Sequence, residues 1–302
     1  MDVSRSDRSG LRCVDTPRLL VSVRNVAEAA EAVAGGCQIL DVKEPTRGPL
    51  GMASGEELAR ILGWLRECRS DVPASCALGE ASDWTVSGST RGLVADSQSA
   101  LFSDVPLGFA YCKLGLSNWD DSNAAMAAWS QLHSEWKQSH SEMRMIAVIY
   151  ADWPLCGAPE PGRILSAAIE QRAAGVLVDT AIKGAGRLFD HISTDSLALL
   201  AQQTHSAGLS FGVAGRLRRE DLPQLRPVQP DVIGIRSAGC PGGERLGGVN
   251  RELVGQFGRA IREVFSGGGA LPRVLPPVQA ELAGRGIRAV SGIDPAQTGN
   301  AG

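Results

Sequence analysis

The feature that most constrains this chain is an alternation repeated eight times: a short run rich in Val, Ile and Leu, then a helical pattern or a return of similar length. The strand-like runs are "RLLVSVRN" (18–25), "CQILDVKE" (37–44), "PASCALGE" (73–80), "GFAYCKLGLS" (108–117), "MRMIAVIYAD" (143–152), "GVLVDTAIK" (175–183), "LSFGVAGRL" (209–217) and "DVIGIRSAGC" (231–240). Between them come "VAEAAEAVAGG", the helix "GEELARILGWLREC" capped by Ser54, a helix over 121–139, "ILSAAIEQRAAG", "STDSLALLAQQTHSAG", the short return "RREDLPQLRPVQP" and the closing "NRELVGQFGRAIREVF". Near-continuous apolar strands need cover on both faces, as in a parallel sheet wrapped by helices. Eight such units in about 250 residues predict an α/β fold, a single-domain (β/α)8 TIM barrel spanning 17–266. A doubly wound sheet would want a glycine fingerprint after its first strand, and "RNVAEAA" has none. Segment 80–107 does not read as an orderly helix. Residues 1–16 are polar and 267–302 are rich in Gly and Pro, which predicts tails on either side of the barrel.

A formal net charge of -3, with Arg scattered along the chain, argues against a nucleic-acid partner. No apolar run approaches the roughly 18 residues of a membrane span, and the N-terminus lacks the apolar stretch of a signal peptide. A cytoplasmic location is expected. The seven cysteines form no CxxC and no close pairing, so neither a disulfide framework nor a zinc site is expected, and no metal spacing joins the four histidines. His133 and His140 fall in a polar helix and are expected on its solvated face. The sequence leaves the oligomeric state open, a homo-oligomer included.

Only four of the 30 basic residues are lysines: Lys43, Lys113, Lys137 and Lys183. Lys137 reads as an ordinary exposed helix residue. The other three each sit at the end of a strand-like run, where a chain that otherwise writes its cations as Arg requires a primary amine. Asp41 shares a strand face with Lys43, Asp179 precedes Lys183 by four residues, and Asp152 ends the fifth strand. A barrel presents its chemistry at these strand ends. Three amines and three carboxylates on one rim suit a lysine that attacks carbonyls to form a Schiff base, with carboxylates moving protons. Lys183 is the expected nucleophile, because its loop position lets it reach the barrel mouth, with Asp179 as acid–base partner. Lys43 and Lys113 would lower its pKa, and Asp41 would orient Lys43; an exchange of roles between Lys43 and Lys183 stays open. After the last two strands, "VAGRL" and "GIRSAGCPGG" place small residues where barrels often bind phosphate through backbone N–H groups. Gly215, Ser237, Ala238 and Gly239 are the candidates, with Arg216 or Arg236 adding charge.

The stretches "LLVSVRNVAEAAEAVAGGCQILDVKEPTRGPLG", "CKLGL", "VLVDTAIKGAGRLFD", "GVAGRL" and "PDVIGIRSAGC" together resemble the (5-formylfuran-3-yl)methyl phosphate synthase family of methanofuran biosynthesis, over roughly residues 19–265. The resemblance implies a TIM barrel that condenses two glyceraldehyde 3-phosphate molecules into 4-(hydroxymethyl)-2-furancarboxaldehyde phosphate, losing one phosphate and two waters. It implies no metal or organic cofactor, a phosphorylated small molecule as the partner, and a place in C1 metabolism. The family's DxK pair falls on Asp41 and Lys43, its KxGL lysine on Lys113, and its DTAIK motif on Asp179 and Lys183. Glu80 and Arg216 depart from the residues expected at their positions. Alternative readings are another class I aldolase acting on sugar phosphates, or a non-catalytic barrel that binds a phosphorylated ligand.

Overall fold

In the computed structural model, which describes residues 16–86, 89–90, 102–119 and 122–266, eight parallel strands close into a barrel. The strands in chain order are β1 (Arg18–Val23), β2 (Ile39–Val42), β3 (Ala74–Glu80), a short antiparallel pair β4 (Thr85–Val86) and β5 (Ser89–Thr90), then β6 (Tyr111–Gly115), β7 (Arg144–Tyr150), β8 (Gly175–Asp179), β9 (Ser210–Val213) and β10 (Val232–Ile235). Around the barrel the order is β1, β2, β3, β6, β7, β8, β9, β10, with β10 pairing back to β1. The helices are α1 (Val26–Ala34), α2 (Gly55–Glu67), α3 (Ser122–Ser139), α4 (Trp153–Cys156), α5 (Pro161–Glu170), α6 (Leu188–His191), α7 (Thr194–Ser206) and α8 (Arg251–Ser266). The expected TIM barrel is therefore present. The proposed tails lie outside the described residues, apart from Thr16.

Alternation along each strand separates two interiors. Leu19, Val21 and Val23 of β1, with Leu40 and Val42 of β2, face outward into the main core between sheet and helices. Side chains such as Leu58, Ile61 and Leu65 of α2 and Val254, Phe257 and Ile261 of α8 close over it. Burying each such side chain contributes about 1.5–3 kcal/mol. The helices start where the sequence provides caps: Asn25 accepts from Glu28 N, Ser54 from Glu57 N and Ser193 from Ser196 N.

Three sequence expectations need correction. The strands are shorter than their apolar runs. β8 stops at Asp179, and residues 180–183 form a loop, because carboxylates capture the next backbone N–H groups: Thr180 N donates to Asp179 (2.7 Å), and Ala181 N and Ile182 N donate to Asp152 (2.7 Å each). The short helical return expected after β9 is present as a 3-10 helix, Arg219–Leu225, with Pro223 inside it; proline cannot supply the N–H of an α-helical bond. Lys113 lies in the middle of β6 rather than at its end. His133 and His140 are buried, not solvated. Each stacks on a tryptophan four residues earlier, His133 on Trp129 (5.2 Å) and His140 on Trp136 (4.2 Å); His133 Nδ1 meets Gln171 Oε1 (3.3 Å), and His140 Nε2 meets Val105 O (3.1 Å). Flat aromatic neighbours with a polar acceptor nearby overrode the polar reading of that helix. Segment 80–107, which lacks helical periodicity, follows β3 with a 3-10 turn, Ala81–Trp84, and then the β4–β5 pair.

Candidate active site

The C-terminal ends of the strands surround a cleft. Its wall includes Ser22, Asp41, Lys43, Lys113, Asp179, Lys183, Gly215, Arg216, Arg236, Ser237 and Arg245, over a floor containing Leu20 and Leu177. Six cationic side chains thus face two carboxylates, so the cleft attracts anions.

One acid–amine unit is built on neighbouring strands. In register, Ser22 of β1 lies opposite Asp41 of β2, which lies opposite Ser75 of β3, so all three point into the barrel. Ser22 Oγ donates to Asp41 Oδ2 (2.9 Å), while Ser75 Oγ (2.6 Å) and Lys113 Nζ donate to Oδ1. Burial alone would raise the Asp41 carboxyl, but Lys113, Lys43 and the hydrogen bonds outweigh it and hold it below the usual range. Asp41 is 1% exposed and Lys113 3%, so this pair is sealed in the barrel wall.

The second unit hangs from β8, four places from β2 in the ring of eight and hence on the opposite side. Lys183 Nζ donates to Asp179 Oδ1 (2.9 Å), to Thr180 Oγ1 (3.2 Å) and to Thr180 O. Burial pushes the Asp179 carboxyl up, but Lys183, Lys43 and the bonds from Lys183 and Thr180 N prevail and bring it down to about 2. Asp152 is not among the cleft-lining residues. Its carboxylate is spent on Ala181 N and Ile182 N, so it shapes the loop that carries Lys183.

Lys43 follows β2 directly and projects between the two units. It is 7% exposed. Among the described residues, no hydrogen bond is made by its Nζ. Burial brings its amine down to about 8; Asp179 and Asp41 oppose the shift, whereas Lys183 and Lys113 add to it. It combines a lowered pKa with a nitrogen uncommitted to any described residue.

The phosphate candidates divide. Gly215, Arg216, Arg236 and Ser237 line the cleft, whereas Ala238 and Gly239 do not. Gly239 N donates within its own turn to Arg236 O (3.0 Å). Gly215 adopts φ +103, and a Cβ there would meet Leu188 and Thr180 side chains at 3.2 Å, so glycine is required for the loop to pass. Arg216 is exposed and ties its loop to the Lys183 loop through Nη1 to Lys183 O (2.6 Å). Arg236 is buried and bonded through all five of its N–H groups: to Glu28 through both Nη atoms, to Ser22 O (3.0 Å), to Arg245 O (2.9 Å) and to Gly247 O (2.9 Å). No donor remains on it for a ligand, so its expected contact with phosphate is not supported by this geometry.

Sequence reasoning missed Ser22, Ser75 and Arg245. The two serines carried a usable signal, since each is a polar residue at an inward position of an otherwise apolar strand. Arg245, one of 26 arginines, carried none. Glu80 ends β3 and accepts from Tyr150 OH (2.5 Å) and Ser117 N (2.8 Å), which locks the ends of three neighbouring strands beside the cleft. Among the described residues no group of His, Cys, Asp and Glu is arranged to hold a metal ion, and no helix is long and apolar enough to cross a membrane.

Among solved structures, the fold is similar to thiamine phosphate pyrophosphorylase from Pyrococcus furiosus, with a TM-score of 0.50 at 12% identity, covering 82% of this chain and 96% of that one. That likeness concerns the barrel alone. Sequence comparison is more specific. The chain is 32% identical over 246 residues to the (5-formylfuran-3-yl)methyl phosphate synthase of Methanopyrus kandleri, covering 81% of this chain and 99% of the relative. It is 33% identical over 238 residues to the synthase of the same name from Methanocaldococcus jannaschii, covering 78% and 96%. Residues 19–258, which contain every charged residue of the cleft, match the profile described as 4-HFC-P synthase, and the chain belongs to that family of enzymes.

Proposed function

We propose that this enzyme condenses two glyceraldehyde 3-phosphate molecules into (5-formylfuran-3-yl)methyl phosphate, releasing one phosphate and two waters, through a lysine Schiff base. The observation that carries the Schiff-base reading is Lys43: an amine brought down to about 8 by burial, without a hydrogen-bond partner among the described residues, between carboxylates on opposite strands. These properties favour Lys43 over Lys183 as the nucleophile, because the Lys183 amine is held by Asp179 and Thr180.

The steps follow from the chemistry of an amine. Neutral Lys43 attacks the aldehyde carbon of one triose, and loss of water leaves an iminium. Asp41 and Asp179 offset its positive charge from either side. The iminium acidifies the neighbouring C–H, and removal of that proton gives an enamine that can attack the second aldehyde. Asp179 and Lys183, hydrogen-bonded to each other, suit the accompanying proton transfers. Elimination of phosphate, ring closure and loss of two waters complete the furan. The water lost in forming the iminium is returned when hydrolysis regenerates the lysine, so two trioses give one furan, one phosphate and two waters without an oxidant.

The test is incubation with glyceraldehyde 3-phosphate while recording the ultraviolet spectrum and free phosphate. A conjugated furan aldehyde absorbs strongly in the near ultraviolet, whereas an aldol does not. The expected result is a growing furan band with one phosphate released per product. A carbon–carbon condensation without the band would point to an aldolase, and binding without turnover to a ligand-binding barrel.

A further inference from the structure

The cleft contains a cation that neither motif nor phosphate loop announced. Arg245 follows "CPGGE", in which Gly242 and Gly243 adopt φ +67 and +73. Two left-handed residues in succession turn the chain back toward the cleft, and no Cβ-bearing residue would do so without strain. Arg245 is consequently half-buried and lines the cleft with Lys43, Asp179 and Ser237. Among the described residues only one of its five N–H groups is bonded: Nη2 donates to Gly48 O (2.8 Å), on the loop that follows Lys43. Its carbonyl is held by Arg236 Nε (2.9 Å), so its backbone is fixed while its guanidinium is not.

Arg236 and Arg245 divide two tasks. Arg236 spends every donor on protein acceptors and is neutralised by the buried Glu28 carboxylate. Arg245 has no carboxylate within salt-bridge distance among the described residues, and its guanidinium edge faces the cleft. A half-buried guanidinium left in this state is poorly solvated and calls for an anion. Its planar fork matches a phosphoryl group in two parallel hydrogen bonds.

We propose that Arg245 grips a phosphoryl group of the bound triose, the part that the sequence offers to Arg236. The choice of a triose rests on the proposed reaction; the assignment of a phosphate monoester rests on the site alone.

The experiment uses glycerol 3-phosphate, which has no carbonyl and therefore reads binding without chemistry. Calorimetric titration of the full chain is compared with Arg245→Gln and Arg245→Lys, with thermal melts to establish folding. The Kd should weaken by about 10- to 100-fold in Arg245→Gln and by less in Arg245→Lys, the loss of one or two charge-assisted hydrogen bonds. The KM for glyceraldehyde 3-phosphate should rise by a similar factor while kcat changes by less than about threefold. In the unmodified chain, glycerol 3-phosphate should protect Arg245 from phenylglyoxal, read by peptide mass spectrometry, a measurement that needs no folded variant. Unchanged affinity in folded variants, or labelling of Arg245 that ignores the ligand, would overturn the proposal. If the wild-type chain makes no furan yet loses glycerol 3-phosphate binding on substitution, the reaction is refuted and the role of Arg245 stands.

Discussion

Two aspartate–lysine pairs stand on opposite strands of this barrel, and they are built differently. Asp41 and Lys113 are both strand residues, both sealed, and Asp41 is held by two serines besides its lysine. Asp179 is sealed too, but Lys183 comes from a loop, its side chain is 21% exposed, and it curls back onto its own turn. The first pair is a fixed part of the wall; the second has an amine that can leave its carboxylate. Lys43 lies within the field of both and is bonded to neither. The difference assigns work: a rigid electrostatic partner on one side, a movable proton donor on the other, and a nucleophile between them.

The largest effect that would break this comparison concerns the nucleophile. Lys43→Arg retains the charge but removes the attacking amine, and should lower furan formation by at least about a thousandfold, whereas Lys183→Arg should cost roughly 10- to 100-fold, the scale of an impaired acid–base group. Progress curves at saturating substrate measure both, and a reversed ranking would reverse the two lysines.

Stability should separate the pairs next. Asp41→Asn leaves Lys113 buried and unpaired, an expected loss of about 3–5 kcal/mol in denaturant titrations. Asp179→Asn should lose less, about 1–2 kcal/mol, since Lys183 can turn to water. Equal losses would mean that the second pair is as fixed as the first.

Lys43 itself should show the opposite sign. Its folded pKa of about 8 lies below the ordinary 10.5, so the folded chain binds fewer protons between those values and gains stability as pH rises through that window. Lys43→Met should therefore stabilise the chain by about 1–3 kcal/mol at pH 7 while abolishing turnover, and the gain should fade toward pH 10. The same titration predicts that the wild-type rate rises with pH and levels off above about 8.

The smallest effect expected is that of Asp152→Asn. One of two backbone N–H groups keeps its acceptor, so the Lys183 loop should loosen rather than collapse. We expect a kcat about tenfold lower with KM little changed.

The barrel was legible because its outward-facing strand residues are almost uniformly apolar, a pattern that survives without knowledge of tertiary contacts. The lysines were legible because Arg is this chain's default cation. What the sequence could not resolve depended on partners brought together from distant segments. Arg236 and Arg245 are nine positions apart and are the same residue type, yet only the fold reveals that Glu28 and three backbone carbonyls exhaust one of them. Lys43 and Lys183 both follow a strand, the first directly and the second after a short loop. Their different states follow from Thr180, which offers two oxygens to Lys183, and from the burial of Lys43. His133 and His140 misled because polar neighbours in sequence concealed two stacked tryptophans.

The most direct measurement is borohydride trapping during turnover of glyceraldehyde 3-phosphate, followed by peptide mass spectrometry. A reduced triose adduct is expected on the peptide containing Lys43, formed faster as pH rises through about 8. An adduct on Lys183, or none in a folded sample that still makes furan, would contradict the assignment of Lys43 as the nucleophile.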